Sequence, residues 1–117
     1  GQPPRAVRAL SSLSAEAIAG LRETGEELAS LEGQAEEIAF QLDCQALTVG
    51  QARTELAQVE AKAKRLECER VDAVYTSELS SGKAEAKTEK KDQLARLEAL
   101  FQRLEVLFGK IKELERR

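Results

Sequence analysis

Cys44 and Cys68 are the only thiols in a chain of 117 residues that contains no histidine. The commonest general base and commonest metal ligand are therefore missing. With no Cys-x-x-Cys spacing, the two cysteines do not read as a zinc site. Read as free thiols, they predict an intracellular protein, cytoplasmic or nuclear. Carboxylates come in pairs at Glu26-Glu27 and Glu36-Glu37. Adjacent residues point about 100° apart on a helix, so neither pair forms a general acid–base dyad. The sequence shows no glycine-rich phosphate loop and no nucleophile elbow. It predicts no catalytic residue, no cofactor, no metal and no enzyme.

The residue types that remain are suited to binding another helix. Phe40, Cys44 and Leu47 fall at i, i+4 and i+7, which sets them on one side of a helix and off its main seam. They predict a second docking face for another helix. The main seam supplies Leu21, Leu28, Leu31, Ile38 and Leu42, with Gln45 as a polar member that would hydrogen-bond across an interface. A C-terminal stripe supplies Leu94, Leu97, Phe101, Leu104, Phe108 and Ile111. These fifteen residues are the candidate interface.

The elements that must position them are helices. Ala, Leu, Glu, Lys and Arg make up 70 of the 117 residues, and both prolines lie near the N-terminus. That composition belongs to long helices. Aromatics are only 3% and Trp is absent, so a thick globular core would be hard to fill. From Val7 onward, apolar residues hold one seven-residue phase to about Ala73. Its a positions run Val7, Ser14, Leu21, Leu28, Ala35, Leu42, Val49, Leu56, Ala63. Its d positions run Leu10, Ala17, Thr24, Leu31, Ile38, Gln45, Ala52, Val59, Leu66, Ala73. So long a repeat predicts a coiled-coil helix. Gly20, Gly25, Gly33 and Gly50 lie within it. Each costs about 1 kcal/mol against Ala, so the helix needs burial against a partner.

The phase fails after Val74, where Ser80-Ser81-Gly82 suits a turn. A second repeat runs through Leu97-Glu-Ala-Leu-Phe101 and Leu104-Glu-Val-Leu-Phe108 to Ile111 and Leu114. Leu104 to Phe108 also matches a picornaviral 3C protease cleavage sequence, as far as Gly109, where that site needs Gln. The heptad accounts for the same apolar residues. Leu100, Leu107 and Leu114 widen the stripe, which suits packing against two helices rather than one.

The expected fold is all-α, with four segments. Residues 1–5 are a non-helical leader and residues 6–79 one long heptad helix. Residues 80–92 are a turn and a solvated Lys/Glu segment, which is either the first part of a second helix returning from about residue 83 or a linker, and residues 93–115 are the second heptad helix. The two helices are expected to form a hairpin, an antiparallel coiled coil, with one extended rod as the alternative. A reversal centred on residue 81 would set Phe101 level with residue 61 and Phe108 level with residue 54.

Charge supports helix pairing. Residues 1–20 carry +1, residues 21–60 carry −7 and residues 61–117 carry +3. The acidic and basic parts would orient each other. A parallel homodimer would set Glu27 against a second Glu32 and Glu55 against a second Glu60, which disfavours it. A net charge of −3 with few aromatics excludes a nucleic-acid footprint. No apolar run approaches the roughly 18 residues of a membrane span.

The sequence thus predicts a non-enzymatic coiled-coil structural or interaction module. It would oligomerise, or dock a partner helix, within a larger intracellular assembly as a scaffold or adaptor. Its partner would be protein, a second copy or another coiled-coil subunit, in a dimer or hetero-oligomer, with no nucleic acid and no membrane. Alternatives are a simple dimeric spacer rod and an amphipathic membrane-surface module. For the latter, Lys110, Lys112, Arg116 and Arg117 would face lipid, but Glu98, Glu105, Glu113 and Glu115 share their helix.

Overall fold

The computed structural model describes residues 4–71 and 83–117, with side chains over 15–69 and 84–117. Regular structure among the described residues is entirely helical: α1 (Pro4–Asp43), α2 (Val49–Leu66) continued by a π-helical turn (Glu67–Val71), and α3 (Lys83–Glu115). The body is elongated, 73 × 21 × 17 Å. The expected turn at 80–82, Ala73 and the tail of the first helix lie outside the described residues.

Two segment boundaries differ from expectation at the described ends. α1 begins at Pro4, because proline's fixed φ suits the first helical turn, where its missing N–H is not needed. The Lys/Glu-rich residues from Lys83 form the first turns of α3, the helical one of the two expected alternatives, so the second helix begins before residue 93. Ala86 is fully buried there, so even this charged segment presents an apolar contact.

The larger correction is inside the first heptad region. It is not one helix but two, because the chain reverses between Asp43 and Val49. The Cys44 amide donates to Phe40 O (2.9 Å), Gln45 to Leu42 O (3.1 Å) and Ala46 to Gln41 O (2.8 Å). The last two are the paired bonds of a Schellman ending. It requires a left-handed residue, and Gln45 supplies it with φ 61°. Thr48 then caps α2. Its hydroxyl accepts from Gln51 N–H (3.1 Å), and Gln51 Oε1 accepts from Thr48 N–H (3.0 Å). This reciprocal capping box starts a new helix at Val49. The heptad phase cannot reveal the break, because Leu42 and Val49 lie seven residues apart on either side of it.

Gln45 is thus exposed in a turn, not buried at a d position. A side chain there is strained, and glycine is not. Gln45→Gly is expected to stabilise the chain by about 0.5–1 kcal/mol, read as a higher urea midpoint. A lower midpoint would contradict the turn.

The three helices share one core. α2 runs back along α1, as the grooves between them show: Gln34, Ile38 and Gln41 face Glu55, Gln58 and Val59, and Glu27 faces Lys62 and Leu66. This register sets Ala35 level with Val59, Ala52 with Leu42 and Ala63 with Leu31. Each buried alanine meets a larger residue, as dense packing requires. α3 packs against both other helices. It runs parallel to α1, since Glu32, Glu36 and Asp43 pair with Arg96, Arg103 and Lys110 in rising order. It runs antiparallel to α2, with Arg53 on Glu115.

The expected α2–α3 levels shift. Phe108 and Phe101 line a groove with Glu60 and Lys64, so Phe108 does not lie level with residue 54. Both rings are half-buried at the edge of the seam. Leu97, Leu100, Leu104, Leu107 and Ile111 occupy the centre instead, because two facing helices claim the middle of the stripe.

Candidate functional site

Most of the proposed interface is spent within the chain. Leu21, Leu28, Leu31, Ile38, Leu42, Leu97, Leu104 and Ile111 are buried, and Leu47, Leu94, Phe101 and Phe108 are half-buried against the same core. The helix positions among them are taken up by the chain's own packing, and Leu47, in the turn, is only partly covered. The C-terminal stripe is not free for a lipid surface either. No helix among the described residues is long and apolar enough to cross a membrane.

Phe40, Cys44 and Leu47 do not form one helical stripe, because α1 ends at Asp43. Cys44 is exposed in the turn. Leu47 precedes the Thr48 cap and folds onto the core. Only Phe40 stays on an outer helix face, 64% exposed. Among the described residues, the other large apolar side chain left outside is Val106 of α3, 61% exposed.

Phe40 and Val106 flank the seam between α1 and α3, which ion pairs close. Arg96 Nη2 lies 2.6 Å from Glu32 Oε1 and its Nε 3.3 Å from Oε2. Arg103 binds Glu36 through Nε (2.8 Å) and Nη2 (3.0 Å). Lys110 pairs with Asp43. Phe40 lies between Glu36 and Asp43 on α1, and Val106 between Arg103 and Lys110 on α3. Of the acids that would have clashed in a parallel homodimer, Glu32 is drawn to the third helix.

The Arg103 guanidinium, by hydrogen bonding, holds the Glu36 carboxyl below its ordinary value, against a smaller opposing effect of burial. A lowered folded pKa means stability that is complete above the unfolded carboxylate range and lost as pH falls through the folded value. Exposed pairs contribute only about 0–1 kcal/mol. Glu36→Gln should therefore destabilise slightly at pH 7 and flatten the acid limb of a thermal-melt series below about pH 4. An unchanged acid limb would remove Glu36 from that dependence.

One buried polar group was missed. Gln93 is fully buried, and its amide donates to Leu21 O and to Glu89 Oε1 (3.1 Å). Its own Oε1 is buried with no protein partner. Gly25 gives it room: a Cβ there would meet Gln93 Nε2 at 3.3 Å. Gln93 continues the three-four spacing of Leu97, Leu100 and Leu104 backward by one step, a signal available in the sequence. A bare buried carbonyl costs about 1–3 kcal/mol. Gln93→Leu is expected to raise the melting temperature while speeding amide exchange in the first turns of α3, because the polar contact fixes register. A lower melting temperature would show that the amide stabilises.

At the far end of α3, a cleft of about 340 Å³ opens beneath the α1–α2 turn. Leu42, Leu47, Val49 and Leu114 give it an apolar floor, with Asp43 and Lys110 at its rim. The described residues contain no cluster able to hold a metal ion. No protein-family model matches the chain, and no curated protein or solved structure shows significant similarity to it.

Proposed function

We propose that this chain is a non-enzymatic helical interaction module, packed through heptad layers, which docks a protein partner within a larger assembly. The observation that supports this most is the side of the bundle formed by α1 and α3. The heptad leucines fill the chain's own core, yet Phe40 and Val106 remain outside on this one side, beside an apolar cleft. Exposed large apolar groups gathered on one face mark interaction sites better than scattered ones do. Ion pairs hold α1 and α3 at a fixed spacing beneath them, so the face is preorganised.

The test is a photo-crosslinking amino acid placed at position 40 in cells, with position 61 on exposed α2 as control. Protein adducts specific to position 40 are expected. Adducts equal at both positions, or none at position 40, would overturn the module.

A further inference from the structure

We propose that the start of α3 is a strap: residues 84–92 unwind from α1 and close again while the rest of the bundle stays folded, with the Gln93 amide as the clasp.

The two parts of α3 are held differently. From Ala84 to Gln93, only Ala86 and Gln93 are buried, while Glu89 and Lys90 are half-buried and the others exposed. About 15 Å of helix is thus docked by one methyl group and one amide. Beyond it, Leu97, Leu100, Leu104, Leu107 and Ile111 are buried in the common core. Among the described residues, that core begins at Leu28 on α1 and at Leu94 on α3. Thr24 and Gln93, both buried and polar, lie just outside it. Burial of large apolar side chains sets most of the free energy of local opening, and along α3 that burial starts only at Leu94.

What fastens the strap is polar. Gln93 Nε2 donates to Leu21 O across the two helices and to Glu89 Oε1 one turn back in the strap. The Arg22–Glu85 pair spans the same gap at 3.7 Å, but both side chains are exposed, and such a pair contributes little. The Thr88 hydroxyl donates to Ala84 O of its own helix rather than to α1. Closing also leaves Gln93 Oε1 buried with no protein partner, whereas opening gives it water. The clasp is therefore a balance between what one amide gains and loses. A helix end of this length holds poorly in water by itself, so the strap unwinds far more often than the bundle unfolds. Opening bares the Leu21 carbonyl and the flank of Gly25 on α1, and closing covers them.

Amide exchange and proline substitution read the strap together. The amides of residues 88–92 lie beyond the first turn of α3 and have acceptors within the helix. They are expected to be protected at least about tenfold less than those of residues 100–111. Lys91→Pro, at an exposed site, should leave the urea midpoint nearly unchanged, because α3 then starts at residue 91, where proline is tolerated in a first turn. Gln102→Pro, at another exposed site of the same helix, should lower the midpoint steeply, because it breaks the part that carries the core. Gln93→Leu tests the clasp: exchange over residues 88–92 should quicken while residues 100–111 become better protected.

Equal protection along α3 overturns the strap. So does a Lys91→Pro midpoint as low as that of Gln102→Pro. Slower exchange over residues 88–92 in the Gln93→Leu chain overturns the clasp.

Discussion

Leu104→Ala is expected to destabilise the folded chain by about 2–5 kcal/mol, while Phe101→Ala, three residues before it, costs about 1–2 kcal/mol. From size alone the order would be reversed, because a phenyl ring carries more apolar area than a leucine. Position decides instead. Leu104 is fully buried, and Leu97, Leu107 and Ile111 of α3 belong to the same core. Truncating it leaves a cavity between three helices that cannot all close inward. Phe101 lies at the edge, half-buried in the groove with Glu60 and Lys64, and water fills the space its ring vacates. With total stability in the usual range of about 5–15 kcal/mol, the Leu104 change removes a large fraction of it. Urea midpoints at an unchanged slope make the comparison. Equal costs, or a larger one at Phe101, would mean that a single facing helix packs on α3 through its aromatic edge.

The heptad phase made the helical class legible, and it also concealed the architecture. The a and d residues from Leu21 to Leu66 are nearly all buried, on both sides of the break. A seven-residue pattern reports which face is apolar, not whether the backbone between two repeats stays helical. The evidence for the break was local and present: Thr48-x-x-Gln51 carries the spacing of a capping box. Gln45 gave the opposite signal, since a polar residue at d reads as a register device, and a left-handed glutamine has no sequence signature. The width of the C-terminal stripe was informative, because Leu100 and Leu107 are buried alongside Leu97 and Leu104, where α3 faces two helices. The candidate interface was legible in residue type but not in destination. Nothing in the sequence distinguishes a leucine buried by its own chain from one buried by another. Position off the seam does not decide it either, since Phe40 is exposed while Leu47 folds onto the core.

Ala39→Asp is expected to destabilise by about 3–5 kcal/mol, an effect out of proportion to a one-carbon side chain. Ala39 is at an e position, outside the a and d seam. In a two-stranded coil it would border solvent, and aspartate there would cost only its helix propensity, below about 0.7 kcal/mol. In this fold Ala39 is 5% exposed and belongs to the core, because α3 closes over the flank of α1 that α2 leaves open. An aspartate is too short to reach water from such a site. It would lie among the Glu36–Arg103 and Asp43–Lys110 pairs, whose charges balance, so the cost is the desolvation of a buried carboxylate. Neutralising itself by taking up a proton would shift the cost to neutral pH rather than remove it. Ala57→Asp on the exposed face of α2 is the control, with the same chemistry and no burial. Thermal melts of the two variants decide between the architectures. A deep loss at position 39 with little at position 57 is the signature of three helices sharing one core. Equal small losses would return the chain to a two-helix hairpin or a rod, with the flank of α1 in water.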